Sequence, residues 1–224
     1  MTVLALAAVT FTALHLLIAG TRSRDALVAR LGERPYQGLF SLASAVVLGW
    51  LIWAYLKARQ PAVTTLLDWR WLAAALTFVA FVLIVTGLLT PGPTIVGGEK
   101  LMNREDPARG IHRVTRHPFL WGVALWALVH LAFNPGTANL LFFGTFLAVA
   151  VAGTFSIDAK RARAFGERWQ RYAALTSNIP FAAIVQGRNR LVAGEIGWLA
   201  PGAAVAVFVV FTLLHARFFG LPPM

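Results

Sequence analysis

Five histidines and a loop rich in arginine carry most of the chemistry this sequence offers. His15 lies inside the apolar stretch 2–20 (TVLALAAVTFTALHLLIAG) and His130 inside 119–133 (FLWGVALWALVHLAF). Hydrocarbon cannot solvate an imidazole, so a ring nitrogen at that depth needs a partner. The partner is a polar side chain, a backbone carbonyl or a metal. His15 falls about 13 residues inside one end of its stretch, or ~20 Å, and His130 about 12 residues, or ~18 Å, from the opposite side. Two imidazoles at similar depth on different helices can hold a metal from opposite faces. They can also be structural, bonded to Thr or to carbonyls within the bundle. Both readings stand at this point.

A second constellation is Arg113-Val-Thr-Arg116-His117-Pro118, at the entrance to the stretch that holds His130. Pro118 suits a first helical turn, where its missing N–H costs nothing. His117 and the free N–H groups of that turn make an electropositive end suited to an anion. Arg109, Arg113 and Arg116 add charge. A heme propionate, a phosphorylated ligand or a lipid headgroup would suit it, and so would a plain helix cap. His112 is expected to be solvated. His215, beside Arg217, is expected at the membrane interface. Glu99, Glu105 and Asp106 are expected to pair with nearby bases.

The elements that must position these groups are membrane helices. The chain has 224 residues, 58% hydrophobic, 13% charged, with a mean hydropathy of +0.68. A soluble domain carries about 25% charged residues. The expected fold is all-α: a polytopic transmembrane helical bundle in one membrane domain spanning 1–224. About six spans are expected, at 2–20, 38–56, 71–90, 118–133, 137–157 and 197–219. The fourth and fifth join through Asn134-Pro135-Gly136, a tight hairpin signal. Residues 158–175 (DAKRARAFGERWQRYAAL) read as a basic amphipathic cytoplasmic helix between spans five and six, lying along the inner surface. The first stretch lacks a charged leader and a small-residue cleavage site, so it reads as a retained helix.

Cysteine is absent, which excludes disulfides, thiolate-bound metals and a thiol nucleophile. The net charge of +11 is read as loop charge of a membrane protein, with no nucleic-acid partner. The first, third and fifth loops hold 16 Lys and Arg, and the opposite side holds four. That places both termini on the side of the membrane away from the cytoplasm. Trp50, Trp53, Trp69, Trp71, Trp121 and Trp198 fall near span ends, as an aromatic belt does.

Gly110-Ile-His-Arg-Val-Thr-Arg-His-Pro118 and Trp126-Ala-Leu-Val-His130 resemble the NnrU family of bacterial membrane proteins. So do His15 followed by Arg24, Leu31-Gly-Glu-Arg-Pro-Tyr36, Thr176-Ser-Asn-Ile-Pro-Phe-Ala-Ala183 and Gln186-Gly-Arg188. The resemblance covers nearly the whole chain. It implies a link to denitrification and nitric oxide metabolism, with a gas or small-molecule ligand or a respiratory (denitrification) protein partner. The family is similar to the plant zeta-carotene isomerase, a membrane heme b enzyme that converts a cis double bond. By motif, the histidines implicated in heme ligation there fall on His15 and His130, and Arg113, Arg116 and His117 become cofactor-binding candidates. Ala127 stands where the isomerase has a cysteine, which bears on redox-linked ligand switching.

A second resemblance runs through Arg116-His-Pro-Phe-Leu-Trp-Gly122, Phe165-Gly-Glu-Arg-Trp-Gln-Arg-Tyr172 and Ile179-Pro180 to isoprenylcysteine carboxyl methyltransferases. It implies S-adenosylmethionine as an alternative cofactor. The acidic pair of those enzymes is reduced here to Asp158 with Ala159. A non-enzymatic accessory factor for a denitrification reductase is the third reading.

The charge asymmetry yields a direct test of topology. A C-terminal reporter active only in the cytoplasm is expected to be silent, and one active only in the periplasm to give signal. Strong cytoplasmic signal reverses the orientation.

Overall fold

A computed structural model describes residues 1–59, 69–95 and 97–220. Most of the loop expected between the second and third spans lies outside the described residues. Ten α-helices follow one another among the described residues: α1 (Thr2–Ala13), α2 (Arg22–Leu31), α3 (Glu33–Ala58), α4 (Arg70–Leu89), α5 (Pro118–Phe133), α6 (Thr137–Phe165), α7 (Glu167–Leu175), α8 (Ala182–Val185), α9 (Ala193–Ile196) and α10 (Leu199–Phe219). A π-helical turn, Leu14–Ile18, continues α1, and 3-10 turns occupy Glu99–Asn103 and Gly110–Arg113.

Four of these helices are long and apolar enough to cross a membrane, namely α3, α4, α6 and α10. A fifth span results if Thr2–Ile18 and Arg22–Leu31 count as one, although a 76° bend separates them. The fourth expected span, α5, has 16 residues and falls short of the ~20 a lone span needs. Its apolar length is made up by its neighbours: α5 packs along α4 on one side and α6 on the other. Beyond these pairs, α10 lies on α4, and α1 packs between α3 and α6.

Two expected elements come out differently. The first loop forms α2, started by Thr21 Oγ1 accepting from the Ser23 N–H at 3.2 Å. Residues 158–175 are two helices and not one. α6 runs on to Phe165, and Gly166, at φ 51°, turns the chain into α7. The aromatic stripe of α7 does not lie in lipid. Trp169 and Tyr172 pack with Met102 and Phe165 into a small core of their own. The Asn134-Pro135-Gly136 hairpin forms as expected, with Gly136 at φ 146°.

Small residues set the helix spacing. A Cβ placed on Gly122 would lie 2.8 Å from the Ala80 carbonyl oxygen, and one on Gly87 2.6 Å from the Phe119 nitrogen. The α4 and α5 backbones thus meet through two glycines, as close-packed membrane helices do. Leu4, Ala7, Ala8 and Phe11 of α1 form the main core with Leu51 and Ala54 of α3, Ala127 of α5 and Ala138, Phe142 and Phe143 of α6. This aligns the start of α1 with the end of α3. The Arg59 guanidinium after α3 donates to the Phe219 carbonyl, so α10 ends on that same face. The opposite face gathers α2, the long loop before α5, and α7 to α9.

Gly122→Ala is expected to cost about 1–3 kcal/mol through overpacking against the α4 backbone. Gly144→Ala, whose Cβ would meet only the Leu140 side chain at 3.8 Å, is expected to be near neutral. The midpoint of unfolding in detergent for the two variants checks this.

Candidate functional site

Two clusters hold the sequence-predicted residues, one within the bundle and one on its polar face. Within the bundle, His15 and His130 are in the same hydrogen-bonding state. His15 Nδ1 lies 2.9 Å from the Phe11 carbonyl and His130 Nδ1 2.8 Å from the Trp126 carbonyl, each four residues back on its own helix. A carbonyl only accepts, so Nδ1 is the protonated nitrogen in both rings. Nε2 is then the nitrogen that presents a lone pair, and among the described residues no hydrogen bond to Nε2 is formed by either histidine. An imidazole with one nitrogen fixed by a carbonyl and the other bare is the state in which histidine ligates a metal. Each imidazole therefore presents a nitrogen that could donate to a metal.

His15 has a further distinction that sequence reading missed. It sits in the π turn Leu14–Ile18, closed by the Ala19 N–H to the Leu14 carbonyl at 3.2 Å. Such turns are rare and concentrate at functional sites. No residue pattern in 14–18 signals it.

The two rings do not touch each other. His15 stacks against Phe11 at 4.2 Å between centroids and meets Phe40 of α3 edge-on at 5.5 Å. His130 stacks on Phe143 at 4.5 Å and packs against Trp126 at 4.9 Å. Phe146 joins the two halves, 5.5 Å from Phe11 and 5.6 Å from Trp126. A planar ligand held by both imidazoles would have to displace Phe146.

The polar face is organised by Asp158. Its Oδ1 accepts from Arg116 Nε at 2.9 Å and from His117 Nε2 at 2.7 Å. Its Oδ2 accepts from Arg116 at 2.6 Å and from Asn178 Nδ2 at 3.0 Å. The anion that suits the α5 entrance is thus the protein's own carboxylate. His117 is 3% exposed. Burial pulls its pKa below the ordinary histidine value, while the bond to Asp158 works in the opposite direction. The guanidinium of Arg116 also lies 5.5 Å from the Trp169 ring centre, which ties α7 to the cluster. The Asn178 carbonyl accepts from Trp121 Nε1 at 2.7 Å and Thr115 Oγ1 at 2.5 Å. Trp121 therefore also serves this network.

Arg113 is spent in the same way. Glu195 of α9 takes its Nε at 2.7 Å and a terminal nitrogen at 2.8 Å, Asp106 takes that nitrogen at 2.5 Å, and Asn189 accepts from the other at 2.9 Å. The bond from Arg113 lowers the Glu195 pKa to about 2. Glu99 pairs with Arg161 at 2.6 Å, so Glu99 and Asp106 behave as expected of loop acids.

His112 corrects the sequence reading. It is buried at 2% exposure, with Nε2 on the Thr90 carbonyl at 3.0 Å, because Gly92 leaves room for the ring. A Cβ at Gly92 would fall on the imidazole. Burial lowers its pKa. Asn178 and Glu195 received no role from sequence. The signal for Glu195 was present: it and Glu167 are the only acids between residues 159 and 198, a stretch holding seven Lys and Arg.

With this geometry in place, the relationships can be stated. A family model described as NnrU protein matches residues 3–223. The chain belongs to the NnrU family. It is also similar to the 15-cis-zeta-carotene isomerase, chloroplastic, of Arabidopsis thaliana, 35% identical over 82 residues, which covers 37% of this chain and 22% of that protein. The Zea mays protein of the same name is 33% identical over 91 residues, with the same two shares. The matched segment therefore spans about a fifth of each plant protein. No solved structure matches the chain. Within this NnrU-family protein the five candidate residues divide cleanly: His15 and His130 keep an unspent donor atom, whereas Arg113, Arg116 and His117 are bound to carboxylates.

Asp158→Ala leaves Arg116 and His117 buried without their shared acceptor. It is expected to cost about 3–5 kcal/mol, the loss typical when one partner of a buried pair is removed. Thermal unfolding of the detergent-solubilised variant checks this, with Glu167→Ala as an exposed-carboxylate control of near-zero effect.

Proposed function

We propose that this NnrU-family protein is a membrane heme b protein with isomerase-type chemistry toward a lipophilic substrate containing a cis double bond. One observation carries the reading: two intramembrane imidazoles, on helices that both pack against α6, are each fixed through Nδ1 to a carbonyl four residues back and keep Nε2 free. A structural role would be served by either nitrogen, whereas matched anchoring through Nδ1 is what two imidazoles that would hold a metal need. The similarity to two proteins named 15-cis-zeta-carotene isomerase supplies the reaction class.

In this reading His15 and His130 are the iron ligands. Such a group would supply an iron atom able to exchange one electron and to take an unsaturated or gaseous ligand, nitric oxide included. Phe11, Phe40, Phe143, Phe146 and Trp126 would shield the two imidazoles from water. The π turn gives His15 a more irregular backbone than the regular helix beneath His130, so His15 would be the more adjustable of the two. Ala127, fully buried one residue after Trp126, offers no second ligand. The protein sits as one membrane domain in a bacterial inner membrane with both termini periplasmic, consistent with its lipid-facing apolar exterior and with the 16-to-4 split of basic residues. The Asp158 network opposes S-adenosylmethionine binding at Arg116 and His117, because both Asp158 oxygens are already used within the chain.

Protein purified from heme-replete cells is expected to show a Soret band. His15→Ala and His130→Ala are each expected to lose it or change its spin state, while His215→Ala keeps the wild-type spectrum. A colourless, well-folded wild type would sink the heme reading.

A further inference from the structure

Arg113 and Arg116 are committed to carboxylates, so the carboxylate tails of a bound heme need another partner. The polar surroundings of His15 supply one. Along α3, Tyr36 lies one turn from Phe40, the ring that meets His15 edge-on, and Tyr36 and Phe40 stack at 6.0 Å. Tyr36 is 6% exposed, and its buried hydroxyl has no hydrogen-bond partner among the described residues. Ser44, one turn beyond Phe40 in the other direction, also holds a buried hydroxyl without a partner. A buried hydroxyl left without a partner is costly, so two flanking one aromatic contact to His15 point to a polar ligand group there.

The charge comes from α2 and α6. Ser156 Oγ donates to the Gly20 carbonyl at 2.9 Å, which sets the register of α6 against the end of the π turn. One turn further along both elements, Lys160 comes near Arg24. Arg24 is already paired. It donates to Glu33, lies 3.6 Å from Asp25 and covers the Tyr36 ring at 5.5 Å. Lys160 is half-buried in the same field of Arg24, Asp25 and Glu33, yet it makes no ion pair among the described residues. Tyr36 shares those three charged neighbours. The corner where α2, α3 and α6 meet thus presents one uncommitted ammonium and one buried, uncommitted hydroxyl, on the polar side of His15.

We infer that Lys160 and the Tyr36 hydroxyl form an anchor for the carboxylates of a tetrapyrrole whose iron is held at His15. The inference rests on the heme reading above. Lys160 supplies charge to the anion, Tyr36 donates a directed hydrogen bond, and Arg24 holds the Tyr36 ring in place from above while its own charge stays neutralised by Glu33 and Asp25. A phosphate of an anionic lipid has similar chemistry, so the test separates the two sources.

Purified full-length protein in detergent would be titrated with ferric protoporphyrin IX and, separately, with its dimethyl ester, followed by absorbance. The wild type is expected to bind the free acid about tenfold or more tightly than the ester, the equivalent of one charge-assisted hydrogen bond. In Tyr36→Phe/Lys160→Met that preference is expected to vanish, with ester binding unchanged. Equal wild-type affinity for the two probes overturns the anchor and leaves the heme reading intact. A preference that survives in the double variant, while co-purifying anionic phospholipid is lost, overturns it in favour of a lipid headgroup. Failure of the wild type to bind either probe overturns the heme reading and the anchor together.

Discussion

The Asp158 carboxylate is the interaction on which the rest of the bundle depends. It sits on α6 and takes hydrogen bonds from Arg116 and His117 at the start of α5 and from Asn178 beyond α7. The α5–α6 hairpin is closed at its other end by Asn134-Pro135-Gly136. Fixing both ends of a 16-residue helix leaves it one register against its partner. That register sets His130 against Phe143, and it joins Trp126 to Phe11 through Phe146. A buried ion pair adds little net stability over an apolar contact, because desolvation offsets the attraction. Its contribution here is specificity of position.

The second organising constraint is that buried charge must be paired within the chain. Arg113, Arg116 and Arg161 are each close to one-tenth exposed and each holds a carboxylate. A bare count of basic residues therefore overstates the charge on offer to a ligand. The free donors on this face are those that tertiary packing has left over, and Lys160 is one of them. The histidines of the bundle differ because aromatic side chains pack against their rings. Each imidazole bonds a carbonyl of its own helix, and this fixes the tautomer without help from another element.

Much of this could be read in the chain before any coordinates. Apolar length and the scarcity of charge define an all-helical membrane protein, and Asn134-Pro135-Gly136 marks a hairpin, because these are local properties of composition and turn chemistry. The expected depth of His15 and His130 comes from counting residues at a fixed helical rise. The break at Gly166 was less legible. Residues 158–175 have helical spacing throughout, and only the positive φ at Gly166 separates a span from a short amphipathic helix.

The sequence by itself determined which groups would be costly to bury: the two imidazoles, the arginines around Pro118 and the lone acids among the basic loops. It did not determine how each cost is met. Arg116 and Asp158 are 42 residues apart and Arg113 and Glu195 are 82 apart. Pairs at that separation form only when helices pack, and no periodicity encodes them. His112 shows the same limit. It reads as a loop histidine, yet it is buried because Gly92, 20 residues earlier, leaves a space of its shape. Only tertiary structure decided which charges were already spent and which nitrogen atoms remained free. The reason is that hydrogen-bond saturation is a property of neighbours in space, whereas hydrophobicity and helix length belong to the chain.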